Sequence, residues 1–187
     1  MRENYIYIAF PVILALFLSF AFIFEEETKE ISNTKKVVSL STFTLYDIAQ
    51  HIAEDTLELV RIIPSGVDIH AYEPTPSIMA KVEKSNLLIY NGAQLEPWLG
   101  SFNFKHKAIE IADYISLKHV NDEEDEHDGH EHHGDACSHS QFDPHFWFDV
   151  ENMKDVAEII TYEFIRLEPN NKALYIDNKK KYIKMLD

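Results

Sequence analysis

Apolar positions along the chain change their spacing several times, and each change marks an element. Tyr5 to Phe24 is apolar on every face, twenty residues without a charge, which is about the helix length that crosses a bilayer core. Arg2 precedes this run and Glu25, Glu26 and Glu27 follow it, so the positive-inside tendency puts the remainder outside the cytoplasm. Residues 1–24 read as a signal anchor or a signal peptide. Ser19-Phe20-Ala21 is a weak cleavage pattern that Phe22, Ile23 and Phe24 run past, which favours an uncleaved anchor. No cysteine follows the run, so attachment through a lipidated cysteine is excluded. Residues 25–36 are polar and form a tether.

Beyond the tether, short apolar runs alternate with helical spacing. Val37 to Leu40 predicts a strand. Phe43 to Ala53 predicts a helix with Leu45, Ile48, Ala49 and Ile52 on one face, and Leu57 to Ile63 predicts a second strand. Thr75 and Pro76 suit a helix cap and first turn, with Ile78, Met79 and Val82 following. Leu87 to Tyr90 predicts a third strand, Asn91-Gly92 a turn, Leu95 to Phe102 a short helix and Ala108 to Ala112 a fourth strand. Met153, Val156, Ala157, Ile160 and Phe164 share one face of a helix over Glu151 to Glu168, which Pro169 and Asn170 end. A last helix starts near Asn171, with Ala173, Ile176, Ile183 and Leu186 at helical spacing up to Asp187. Strands alternating with helices imply an α/β fold with a roughly four-stranded parallel sheet flanked by helices. The lobe covers residues 37–168 and the closing helix 169–187. A length of 187 residues leaves no room for a second full lobe.

Residues 121–140 interrupt this pattern, with almost no apolar positions, and are expected to be a mobile insertion. They also explain the charge. Of the formal charge of -15, over half comes from residues 121–135, which hold eight acidic residues and no Lys or Arg. Such a patch repels nucleic acid and concentrates cations, which excludes DNA or RNA as a partner. The 45% apolar and 12% aromatic content is enough for a packed core. Cys137 is the one cysteine and cannot form an internal disulfide.

Three features carry metal chemistry. His70 lies between the second strand and the next helix, and in open α/β sheets that edge forms the ligand crevice. His145 lies before a helix in Asp143-Pro144-His145-Phe146-Trp147-Phe148, where proline stiffens the backbone and aromatic rings exclude water. Asp68, Glu73, Asp143 and Asp149 are near enough in sequence to accept the second ring N–H of such a ligand. Trp98 and Trp147 read as packing residues. The third feature is the insertion, where His127, His130, His132, His133 and His139 stand among carboxylates. Histidine-rich tracts bind transition metals, and the carboxylates draw cations in.

Four ordered motifs resemble the solute-binding proteins of zinc and manganese ABC importers: STFTLYDIAQHI at Ser41–Ile52, PSGVDIHAYEPTPS at Pro64–Ser77, LLIYNGAQLEPWL at Leu87–Leu99 and DPHFWFDVENM at Asp143–Met153. The resemblance implies a two-lobed extracytoplasmic receptor that hands metal to a membrane permease. It implies one ion between the lobes, held by His70 and His145 of this first lobe, with a histidine or glutamate and an acidic residue coming from the second. The histidine-rich loop points to Zn2+, with Mn2+ as the alternative. Residues 169–187 match the start of the family's connecting helix, and a second lobe would be the continuation of a truncated receptor or a separately encoded chain. A free-standing anchored metal scavenger acting through the loop is the competing reading. A zinc hydrolase needs three protein ligands and an open position, and no HExxH pair occurs, so the chain does not read as an enzyme.

Overall fold

The computed structural model describes residues 34–102, 104–119 and 142–187. The chain divides into two units, Met1–Thr34 and Lys35–Asp187, and the second is the lobe described below. The expected anchor, most of the tether and the histidine-rich insertion lie outside the described residues.

Four parallel strands, β1 (Val37–Leu40), β2 (Glu58–Arg61), β3 (Leu87–Tyr90) and β4 (Lys107–Glu110), pair in the order β2-β1-β3-β4. Val38 stands between Leu59 and Leu87, and Ile89 is opposite Ile109. The chain leaves β1 in one direction to reach β2 and returns past it to β3. Because parallel crossovers are right-handed, that reversal sends helix α1 (Phe43–Ala53) and helix α2 (Pro76–Glu83) to opposite faces of the sheet. On one face Val38, Leu40 and Ile89 meet α1, helix α3 (Val150–Leu167) and helix α4 (Lys172–Leu186). On the other, Leu88 meets Met79, Val82 and Trp98. Strand β1 is buried from Val38 onward, its Ser39 hydroxyl paired with that of Ser85 at 2.6 Å.

Local chemistry accounts for the element ends. Thr75 accepts the Ile78 N–H at 3.3 Å and Pro76 opens α2, as the Thr-Pro pair predicts. Asp149 accepts the N–H groups of Glu151 and Asn152 at the start of α3. Thr42 precedes α1 but its hydroxyl does not cap it, donating instead to Asn91 Oδ1 at 2.9 Å and tying the ends of β1 and β3 together.

Strands β2 and β4 are shorter than the apolar runs that predict them, and the helix expected over Leu95–Phe102 is a 3-10 turn at Pro97–Ser101. The last helix forms as its spacing predicts and buries Tyr175, Asn178 and Tyr182, whereas Ala173 is exposed and Ile176, Ile183 and Leu186 are half-buried. Tyr175 packs edge-on against Phe164, with ring centroids 5.8 Å apart, and shares a 2.9 Å hydrogen bond with Thr56. Asn178 donates to the Ile52 carbonyl at 3.1 Å, satisfying a group left open at the end of α1.

The turn after β3 is the most constrained backbone of the lobe. Gly92, Ala93 and Gln94 all have positive φ, and a Cβ at Gly92 would collide with the Glu110 side chain. Glu96 is buried and accepts the N–H groups of Asn91 and Gly92, each at 3.0 Å. Burial pushes its carboxyl above the ordinary glutamate range, while those two N–H groups pull it back. Since the folded state holds the proton more tightly, Glu96 contributes stability that is full below the ordinary value and lost as pH rises through the raised one. Urea unfolding across a pH series should therefore show the wild type losing stability relative to Glu96→Gln as pH rises above 4.5. A flat or rising difference would contradict the burial of this carboxyl. Phe164→Ala should cost about 3–5 kcal/mol by the same measurement, because the ring is fully buried. Tyr162→Ala, two residues earlier on the other side of the same helix and 61% exposed, should stay within about 0.5 kcal/mol.

Candidate metal centre

His70 lies within the long connection between β2 and α2, and His145 immediately precedes the 3-10 turn Phe146–Phe148 that leads into α3. Separated by 75 positions in sequence, their Nε2 atoms stand 3.2 Å apart. Two nitrogens each about 2.0–2.1 Å from one tetrahedral zinc would lie about 3.3 Å apart, so the pair already has the spacing of two ligands on a single ion.

The same device holds each histidine. An aspartate two residues earlier accepts the histidine's backbone N–H, Asp68 for His70 and Asp143 for His145, both at 2.9 Å. Asp143 does more, since its Oδ1 also lies 2.5 Å from His145 Nδ1. With Nδ1–H donating to the carboxylate, the lone pair sits on Nε2 and is directed at His70. The backbone N–H of His145 holds the Asp143 carboxyl below the usual carboxylate range, against some desolvation, and the ring contact lowers it further. Among the four carboxylates left open by sequence, Asp143 thus serves the ring, Asp68 serves backbone and Asp149 serves the helix start. Asp-x-His occurs at both candidate positions, a repeated signal that would have singled out Asp68 and Asp143.

Aromatic groups line the site as expected around His145. Trp147 lies edge-on to its ring at 5.1 Å, and Phe148, at 6.2 Å, is 79% exposed. Trp98 is in the second core cluster, in keeping with a packing role. His119 pairs with Phe142 in an antiparallel bridge, their rings 4.4 Å apart, and the Lys118 carbonyl accepts the Asp143 N–H at 2.8 Å. The two ends of the insertion are therefore joined three residues before His145. His127, His130, His132, His133 and His139 lie outside the described residues. Among the described residues no third histidine, cysteine or carboxylate completes a metal cluster, and no helix is long and apolar enough to cross a membrane.

The lobe thus presents two oriented imidazoles at the edge of its α/β sheet. The family model described as ZnuA, zinc-uptake complex component A periplasmic, matches residues 38–187, and the chain belongs to this family of metal ABC transporter substrate-binding proteins. Its relatives are solute-binding proteins and not enzymes. The chain is 30% identical over 181 residues to the high-affinity zinc uptake system protein ZnuA of Bacillus subtilis, covering 94% of this chain and 56% of that protein. It is 31% identical over 170 residues to the manganese ABC transporter substrate-binding lipoprotein scaA of Streptococcus gordonii, covering 87% of this chain and 51% of the relative. The Mn-bound periplasmic metal binding protein of Candidatus Liberibacter asiaticus superposes with a TM-score of 0.66 at 26% identity, over 81% of this chain and 53% of that one. The periplasmic zinc binding protein TroA of Treponema pallidum shares the fold, with a TM-score of 0.67 at 22% identity, over 82% of this chain and 52% of its own. The chain spans about half the length of these relatives.

Replacing Asp143 by asparagine should lower zinc affinity roughly 10–100-fold, the usual effect of removing the group that orients a ligand histidine. Calorimetric titration checks this, and unchanged affinity would show that the Asp143–His145 contact does not tune the site.

Proposed function

We propose that this chain is the extracytoplasmic metal-capturing lobe of a high-affinity ABC importer receptor, taking up Zn2+ and delivering it to a membrane permease. The single observation that carries the proposal is the 3.2 Å approach of the His70 and His145 Nε2 atoms, with the His145 tautomer set by Asp143. Neutral imidazole suits zinc well, whereas manganese prefers oxygen donors. Two histidines with no described carboxylate on the ion therefore favour zinc, with Mn2+ as the alternative that the manganese relatives represent. Capture weakens as pH falls, because protons and metal compete for the same imidazole lone pairs.

The histidine-rich tract serves this site as a loose collector. Its ends meet beside His145, so an ion held by His127, His130, His132, His133 or His139 is released next to the two fixed ligands. The apolar run Tyr5–Phe24 holds the lobe at the outer face of the membrane, a tethered arrangement in keeping with relatives that are named as lipoproteins. The competing role, a scavenger acting through the tract alone, differs in where the tight site lies.

Zinc titration of four variants separates these roles. His70→Ala and His145→Ala should each weaken the tight site by more than the roughly 10–100-fold that loss of an orienting partner costs. Alanine at all five tract histidines should remove the weak, multiple binding and leave the tight site. If the double variant His70→Ala/His145→Ala binds as the wild type does and the tract variant binds nothing, the receptor role fails and the scavenger stands.

A further inference from the structure

Asp143 accepts both the backbone and the ring N–H of His145, so whatever fixes Asp143 also fixes the ring. Its own backbone N–H donates to the Lys118 carbonyl at 2.8 Å. The segment from Ser116 to Lys118 belongs to none of the four strands, and its burial alternates: Leu117 packs against the main core, while Ser116 and Lys118 are exposed. Apolar contact is non-directional, so Leu117 alone does not set where the carbonyls of this segment stand. A directional tie comes from α3. The Asn152 side chain is 7% exposed and donates through Nδ2 to the Ser116 carbonyl at 3.1 Å.

This bond is not ordinary helix capping. A polar side chain three positions after a helix cap commonly reaches back to the N–H of the cap residue. Here the Asp149 N–H is already donated to the Phe146 carbonyl at 3.0 Å. The Asn152 amide instead crosses 36 positions of sequence to another segment. Ser116 takes Asn152 and Lys118, two residues on, takes Asp143, which closes a ring: Asp143, the 3-10 turn, the first turn of α3, Asn152, Ser116 to Lys118, and Asp143 again. His145 lies on the covalent arc of that ring.

We infer that Asn152 is a positioning residue for metal capture: using residues 116–118 as a splint, it holds the Lys118 carbonyl where Asp143 binds it, and through Asp143 it fixes the direction of His145 Nε2. The inference rests on the reading of His145 as a metal ligand. With the ring closed, Asp143 cannot turn from Nδ1 without stretching the bonds at Lys118 or Ser116, and the imidazole keeps one tautomer and one orientation. Without the Asn152 donor the Ser116 carbonyl turns to water and the splint slackens. The imidazole then samples both tautomers, one of which has no lone pair on Nε2. Affinity falls although no group that touches the metal has changed.

The test is a zinc titration of the full chain in detergent micelles, paired with the proton NMR resonance of His145 Nδ1–H, assigned by its loss in His145→Ala. Asn152→Leu, close in volume and without a donor, should weaken the tight site about tenfold, the lower end of the effect of groups that orient a ligand histidine. It should also shift that resonance upfield or broaden it by exchange with water. Asn152→Asp lacks the donor too and carries a charge that the first turn of a helix favours, so it secures the fold and should disturb the resonance alike. Asn178→Leu removes a comparably buried asparagine that donates to the Ile52 carbonyl. It should lower the melting temperature and leave affinity and resonance as in the wild type. In the Asp143→Asn background, Asn152→Leu should add no further loss, because both act on one ring. Wild-type affinity with an undisturbed resonance in both Asn152 variants overturns the positioning role. An equal loss in Asn178→Leu, or a loss that multiplies with that of Asp143→Asn, overturns it as well. A tight site that survives His145→Ala overturns the ligand reading of His145, and the positioning role with it.

Discussion

A parallel strand pair can be joined only by a crossover that carries the chain back to its starting edge, so loops that follow strands in such a sheet gather at one end. Here four strands obey that rule, and the reversal of direction at β1 parts the crossovers so that a crevice opens between the ends of β1 and β3. The Thr42–Asn91 hydrogen bond closes the floor of that crevice, and the Glu96 carboxylate fixes the turn beside it. His70 arrives on a loop that follows β2, and His145 at the approach to α3. The approach of the two imidazoles depends on this arrangement as well as on the aspartates that hold them.

Polar groups stabilise this lobe where apolar contacts alone would leave it ambiguous. Asn178 bridges α4 to the end of α1, and Tyr175 reaches the Thr56 hydroxyl while packing edge-on against Phe164. Lys107 and the nearly buried Glu163 join strand β4 to α3 at 2.7 Å. These contacts pin the two carboxyl-terminal helices in register on one face of the sheet, and α3 in turn holds the segment that carries His145.

Legibility in the sequence followed the physics of each element. Strands β1 and β3 and helix α1 could be bounded to the residue, because in each the apolar pattern stops where the hydrogen-bonded ladder or helix stops. Strand β2 could not, since Ile62 and Ile63 remain buried after neighbouring β1 has turned into its helix. The inward face of α4 was not legible from aliphatic spacing, because it is formed by two tyrosines and an asparagine. His70 and His145 were recognisable as candidates from their positions, but nothing local specifies a distance across 75 residues. Choosing Asp143 over Asp149 required seeing which carboxylate the helix start had already engaged.

The bridge between His119 and Phe142 separates the fate of the insertion from that of the lobe. With the two ends already clasped, the cost of closing the loop grows only with the logarithm of its length, about 0.6 kcal/mol for each doubling. Histidines and carboxylates can therefore be added, lost or rearranged between these residues over evolutionary time at little cost to folding. The composition of the insertion is thus free to drift, while the two imidazoles behind the clasp stay where the sheet puts them.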